Sequence, residues 1–173
     1  MPDLRTPVSD SDHIFGSPDA TIELVEYGDY QCPYCGAAYP IVKRIQDELG
    51  NRLKFVFRNF PLRKIHPQAL MAAVASEAAS LQGKYWEMHD MLFENQKRLN
   101  YSSIINYAEH LGLDIIRFKL NVADINLEKK ALSDFESGLR SGVNATPTFF
   151  VNGNKYLQDW KAPEFIQFLE QVK

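Results

Sequence analysis

The sequence predicts an α/β domain in which a β-α-β unit and a β-β-α unit are separated by an all-helical insertion. Two strand-like runs flank an amphipathic helix near the N-terminus, residues 66–140 have helical texture, and a strand-turn-strand pattern followed by a helix closes the chain. We therefore expect an α/β part over residues 16–65 and 141–173, a helical insertion over 66–140, and a polar, poorly ordered lead over 1–15.

The first predicted strand, residues 21–27, carries apolar side chains on both faces, as is typical of a central strand. A helix ending near Leu49 and an alternating strand over residues 53–58 follow, which together predict a right-handed β-α-β unit. Glu26 interrupts an apolar face of the first strand. Its carboxylate either reaches solvent at the strand end or is buried with a raised pKa, and we favour burial.

The rest of the chain is assigned from periodicity and turn residues. The helical patterns cover residues 67–81, 84–95, a segment opened by Ser103, and 125–139, with Asp114 as the N-cap of a short turn. Residues 149–151 are apolar on both faces, and the pair Asn152-Gly153 predicts a two-residue hairpin. A terminal helix starts at Pro163.

Cys32 and Cys35 are the only cysteines, and they are spaced two residues apart at the predicted strand-to-helix junction. Unpaired N–H groups and the positive dipole end at a helix start favour a thiolate at Cys32, and Pro33 suits the first helical position. Cys35, one turn later, is expected to point inward as the resolving thiol. This interpretation requires the Cys32 sulfur to be charged and accessible.

Two other interpretations of the cysteine pair are weaker. A structural zinc site usually needs four ligands, and the four histidines are scattered singly, so we expect no metal. A purely structural disulfide across two residues closes too short a loop to constrain the unfolded chain. A dithiol that cycles between reduced and disulfide forms is therefore favoured.

Composition narrows the function classes. The formal net charge is −3 with no basic run, so we expect no nucleic-acid or anionic-membrane partner. No apolar stretch approaches the roughly 20 residues that span a bilayer, and the first 20 residues lack the apolar core of a secretory signal. We expect a cytoplasmic protein as the sequence stands, or a periplasmic or secreted one if a signal peptide has been removed. We also expect a monomer without a cofactor.

The order of elements and four motifs resemble the thioredoxin fold and, because of the helical insertion, the DsbA-like thiol:disulfide oxidoreductases. The motifs are residues 26–35 (EYGDYQCPYC), His66-Pro67, residues 86–89 (WEMH) and residues 146–149 (TPTF). The resemblance implies that Cys32 attacks a disulfide, Cys35 resolves the mixed disulfide, and Glu26 relays a proton to or from Cys35. It also implies a cis Thr146-Pro147 bond beside the cysteines.

We thus expect a thiol:disulfide oxidoreductase acting on disulfide- or thiol-bearing proteins or glutathione-type substrates, recycled by a redox partner not identifiable from the sequence. The residues expected at the substrate are Pro33, Tyr34, Thr146 and Pro147. The intervening Pro-Tyr pair is that of glutaredoxins, whereas strongly oxidising family members carry Pro-His, so the resemblance does not extend to extreme oxidising power. The alternative is a non-redox peptide-binding or chaperone module on the same fold.

Overall fold

A computed structural model describes residues 3–172 and contains a five-stranded mixed sheet of order β1-β3-β2-β4-β5. The strands are β1 (Ile14–Gly16), β2 (Ile22–Gly28), β3 (Leu53–Asn59), β4 (Thr148–Val151) and β5 (Asn154–Lys155). The helices are α1 (Pro33–Leu49), α2 (Ala69–Ser80), α3 (Tyr85–Glu94), α4 (Tyr101–His110), α5 (Ile115–Val122), α6 (Ile125–Arg140) and α7 (Glu164–Gln171). The predicted α/β thioredoxin-like fold is confirmed.

Strand β2 lies at the centre of the sheet, parallel to β3 and antiparallel to β4. Its alternating side chains enter two different cores: Ile22 and Leu24 pack into the larger cluster, and Val25 and Tyr27 into the smaller one on the opposite face. Burial on both faces explains why the strand reads as continuously apolar. The carboxyl end of β2 delivers the chain directly to the two cysteines.

The β4–β5 hairpin is closed by Asn152 and Gly153, as predicted. Both residues have positive φ angles, 47° and 80°. This is the mirror-image turn whose twist matches that of the flanking strands, and asparagine and glycine tolerate its left-handed backbone best. On its other side β4 pairs antiparallel with β2, so the residues preceding β4 lie near the end of β2 and the start of α1.

Helices α2 to α6 lie between β3 and β4 along the chain, in the stretch predicted to be helical. Asp114 is an N-cap, with its side chain accepting a hydrogen bond from Arg117 N at 2.9 Å. The segment it opens is the eight-residue helix α5 rather than the short turn that was expected. A membrane-crossing helix, which needs both length and apolar character, is not found among residues 3–172.

The prediction of a poorly ordered lead over residues 1–15 is wrong for the part that the structure describes, from residue 3 onward. Leu4 is buried, and Ile14–Gly16 adds to β3 as an antiparallel edge strand. Arg58, on β3, donates hydrogen bonds to the Asp12 carboxylate at 2.8 and 2.9 Å and to the Thr6 carbonyl at 2.8 Å. A buried guanidinium requires such partners, and composition cannot show that the polar lead supplies them.

Candidate active site

The two cysteines lie where β2 passes into α1, and both are free thiols. Cys32 is the N-cap of α1, with an extended backbone (φ −70°, ψ 123°), and Pro33 occupies the first helical turn as predicted. The N-terminus of α1 has no side-chain cap. Its first N–H groups therefore remain available to the Cys32 sulfur, which lies at the positive end of the helix dipole.

Hydrogen bonding lowers the pKa of Cys32 to about 5. The largest cause is the Cys35 thiol, which donates to the Cys32 sulfur; burial opposes the shift, and Thr146 and the backbone N–H groups of Cys35 and Tyr34 support it. When protonated, the Cys32 thiol can donate to the Thr146 carbonyl at 3.5 Å. At neutral pH Cys32 is therefore a thiolate, the form that attacks disulfides.

The pKa of Cys35 is shifted in the opposite direction to that of Cys32. Its side chain is fully buried, and burial, followed by its hydrogen bond to Cys32 and the charge of Glu26, raises the pKa of the Cys35 thiol well above its usual value. The N–H group of Asp29 donates to the Cys35 sulfur at 3.4 Å. The pair thus consists of one acidic thiol and one thiol that keeps its proton at neutral pH.

Cys32 is more enclosed than its expected accessibility suggested, because the residue keeps only 3% of its surface exposed. The start of α1, the loop before β4 and the segment after α3 enclose it, since Cys32 contacts Thr146 and Gln96 from these elements. The neighbouring Tyr34 is 61% exposed. Only a small part of Cys32 is therefore accessible, next to the exposed Tyr34 side chain.

The predicted substrate residues lie at the start of α1 and in the loop before β4. The Thr146–Pro147 peptide bond is cis, as the resemblance implied. The Lys161 Nζ lies over the exposed Tyr34 ring, 5.0 Å from its centroid. The contact between Cys32 and Thr146 brings together two separate parts of the chain: the start of α1, with Pro33 and Tyr34, and the loop before β4, with Thr146 and Pro147.

Glu26 is buried, as favoured from the sequence, with 2% of its surface exposed. On β2 it is flanked by Phe57 of β3 and Phe149 of β4, so aromatic rings replace water on both sides. Burial, assisted by the charge of Cys32, raises the pKa of Glu26 to about 8. The Glu26 carboxyl group therefore carries a proton at neutral pH, next to the dithiol.

Sequence reasoning did not place Asp29 and His66 together. The buried Asp29 carboxylate accepts hydrogen bonds from Gln31 N at 2.8 Å, Leu62 N at 2.9 Å and His66 Nδ1 at 2.8 Å. It thereby ties the loop after β2 to the loop after β3, with the His66 ring as one of the groups that hold the two loops together. The only available sequence signal was that both follow parallel strands, whose carboxyl ends meet at one edge of the sheet.

Gln96, in the connection between α3 and α4, was also missed. Its side-chain amide donates to the Tyr30 carbonyl at 2.8 Å and to the Cys32 carbonyl at 2.9 Å. No local pattern marks a glutamine more than 60 residues away from its partners.

Within residues 3–172, no group of three or more His, Cys, Asp or Glu side chains is arranged to hold a metal ion.

The fold and the site together define a DsbA-like protein of the thioredoxin-fold class, with a dithiol at a helix N-terminus beside a cis-proline loop. The chain belongs to the thioredoxin family, since the family model described as thioredoxin matches residues 8–171.

Solved structures with the same architecture support this assignment. BdbD from Bacillus subtilis, in its oxidised form, is 25% identical, with a TM-score of 0.80 over 94% of this chain and 95% of that one. The thiol-disulfide exchange protein alpha-DsbA2 from Wolbachia pipientis shares the fold at 18% identity, with a TM-score of 0.82 over 95% of this chain and 89% of that one.

Curated relatives carry a different description. The chain is 43% identical over 155 residues to a Na⁺/H⁺ antiporter NhaA 1 of Salinispora arenicola, which is 89% of this chain and 24% of that protein. It is 41% identical over 169 residues to an NhaA 1 of Mycolicibacterium vanbaalenii, which is 96% of this chain and 27% of that protein. The chain thus spans about a quarter of the length of these relatives, and almost all of it aligns.

Proposed function

We propose that this protein is a thiol:disulfide oxidoreductase that uses Cys32 as nucleophile and Cys35 as resolving thiol. The observation that carries the proposal is the contrast between the two thiols: the pKa of Cys32 is lowered to about 5, whereas that of Cys35 is raised. A structural role needs no such contrast. Disulfide exchange needs one thiol that is a good leaving group and a second thiol that stays protonated until it resolves the mixed disulfide.

In the oxidising direction, a substrate thiolate attacks the Cys32 sulfur of the Cys32–Cys35 disulfide. The S–S bond breaks, and Cys35 leaves as a thiolate that takes a proton. A second substrate thiolate then attacks the substrate sulfur of the mixed disulfide and releases Cys32 as a thiolate. The substrate loses two electrons to form its disulfide, and the protein gains them as a dithiol.

Glu26 is proposed to supply the proton for Cys35. Because the pKa of Glu26 is raised to about 8, its carboxyl group is protonated at neutral pH and can give this proton to the leaving Cys35 thiolate. The reverse reaction uses the Glu26 carboxylate as the base that activates Cys35. Burial between two aromatic side chains therefore equips Glu26 for proton transfer.

The low pKa of Cys32 favours the oxidising direction. At pH 7 only the part of the pKa shift that lies below pH 7 stabilises the reduced form. With the pKa of Cys32 at about 5, that part is about two units, which corresponds to about 2.7 kcal/mol, or about 60 mV for a two-electron couple. Equilibration with glutathione, read by alkylation of free thiols, tests the direction. A potential well above the thioredoxin value of about −270 mV supports a periplasmic or secreted oxidant, and one near that value supports a cytoplasmic reductant.

The substrates proposed are proteins or glutathione-type molecules that bear thiols or disulfides, and exposed Tyr34 and the Thr146–Pro147 loop are proposed to contact them.

The experiment that tests the function uses two variants and one disulfide substrate. Cys32→Ser should abolish exchange, whereas Cys35→Ser should accumulate a mixed disulfide through Cys32, visible by mass spectrometry. Full exchange by Cys32→Ser would reject the proposal. Peptide binding that is unchanged by both substitutions, without any exchange, would favour the binding or chaperone module instead.

A further inference from the structure

The connection between α3 and α4 contacts the turn that carries Cys32 through the side chain of Gln96. Its amide nitrogen is 2.8 Å from the Tyr30 carbonyl oxygen and 2.9 Å from that of Cys32. These two carbonyls lie on the short turn that carries the chain from β2 into α1. Gln96 is thus attached to the backbone of the turn that orients the Cys32 sulfur.

The Cys32 carbonyl also belongs to the first turn of the helix, because it accepts a hydrogen bond from Gly36 N at 3.0 Å. A second donor on the same oxygen, from Gln96, fixes this peptide plane from outside the helix. The Cys32 sulfur receives hydrogen bonds from the N–H groups of Tyr34 and Cys35 in that turn. Their alignment with the sulfur depends on the orientation of the turn.

The absence of a side chain at Gly36 is independent evidence that the Gln96 side chain packs tightly against the start of α1. A Cβ added at Gly36 would clash with the Gln96 side chain, coming within 2.7 Å of its Cδ atom. A residue with any side chain at position 36 would therefore displace Gln96 from its position. Glycine is otherwise a poor residue for a helix interior, so its presence here has a steric explanation.

We propose that Gln96 is a positioning residue that holds the Cys32 turn in place from the α3–α4 connection, with Gly36 providing the space it requires. The hydrogen bonds of Gln96 go to backbone carbonyls and not to the Cys32 sulfur. It acts through the backbone carbonyls of Tyr30 and Cys32. The inference rests on the proposed function only for its consequence in turnover, since the acidity of Cys32 can be measured without any substrate.

The test compares Gln96→Ala, Gly36→Ala and a matched control, Gln82→Ala. Gln82 also makes two hydrogen bonds to backbone atoms, both to Asp114, and is similarly half-buried. The measurement is the pH titration of Cys32, followed by thiolate absorbance and by the rate of iodoacetamide alkylation. Thermal unfolding of each variant separates loss of positioning from loss of fold.

We expect Gln96→Ala and Gly36→Ala each to move the Cys32 titration midpoint up by about one pH unit, which slows alkylation about fivefold at pH 5. Gln82→Ala should leave the midpoint unchanged. The double variant should shift no further than Gln96→Ala alone, because both changes remove the same two hydrogen bonds.

An unchanged midpoint in folded Gln96→Ala would overturn the proposal, as would a shift in Gly36→Ala that persists in full on top of that of Gln96→Ala. If Gln96→Ala does not fold, the midpoint of Gly36→Ala decides the matter, since there Gln96 is displaced but retained. Failure of the wild-type protein to exchange disulfides would reject the proposed function while leaving these titrations interpretable.

Discussion

Glu26 makes the stability of this protein depend on pH in a way that can be calculated from its surroundings. Its pKa is raised from the usual value of 4.5 to about 8 by burial. In the unfolded chain Glu26 ionises above pH 4.5, so folding must either return its proton or bury its charge, and both lower the free energy of unfolding. This loss of stability is absent below pH 4.5 and grows by about 1.4 kcal/mol per pH unit up to about pH 8. Above pH 8 it is constant.

Cys32 acts in the opposite direction in the reduced protein. Its pKa is lowered from 9.0 to about 5, so its contribution to stability is fully present above pH 9 and is lost as the pH falls towards 5. Between about pH 5 and pH 8 the two slopes are opposite and of similar size. Reduced wild-type protein should therefore show little net change in stability from these two groups.

Cys32→Ser removes the compensating group and exposes the effect of Glu26. We expect the free energy of unfolding of Cys32→Ser to fall by about 3 kcal/mol between pH 5 and pH 8. In the double variant Cys32→Ser with Glu26→Gln, the side chain at position 26 cannot ionise, and this fall should disappear. Every other titrating group is common to both proteins, so the difference between the two curves reports Glu26 alone.

The assay is urea unfolding at several pH values. The dependence of the unfolding free energy on urea concentration should be the same at each pH if unfolding is two-state. Parallel curves for the two proteins would refute the reasoning, because they would mean that Glu26 has the same pKa folded and unfolded. A steeper fall in the double variant would contradict the assigned sign.

Three further outcomes follow from the same structure. Alkylation of Cys32 should have a pH midpoint near 5, measured by mass spectrometry, and a midpoint near the ordinary thiol value would contradict the hydrogen bonding described. Asp29→Ala should lower the unfolding free energy by about 2–4 kcal/mol, since it leaves buried N–H groups without an acceptor, whereas His66→Ala should cost about 1 kcal/mol. Asp12→Ala should cost about 3 kcal/mol because Arg58 stays buried without its carboxylate, and a loss near zero would mean that water replaces it.

Much of the fold was predictable because short-range sequence patterns specify it. Apolar side chains on both faces of residues 21–27 predicted the central position of β2, and Asn152-Gly153 predicted the hairpin. The lead was misjudged because its order depends on Arg58, a residue more than 40 positions away. Edge strand β1, only three residues long, has too little periodicity to be recognised on its own.

The sequence by itself determined that two cysteines stand at a strand-to-helix junction, and it favoured burial of the carboxyl group on the strand before them. Spacing and periodicity carry this information, since they act within a few residues along the chain. Only the tertiary structure decided how enclosed Cys32 is, which groups form hydrogen bonds to its sulfur, and that Asp29 and Gln96 hold the surrounding turns. Those properties arise from hydrogen bonds and burial between segments distant in sequence, whose partners become neighbours only when the chain is folded.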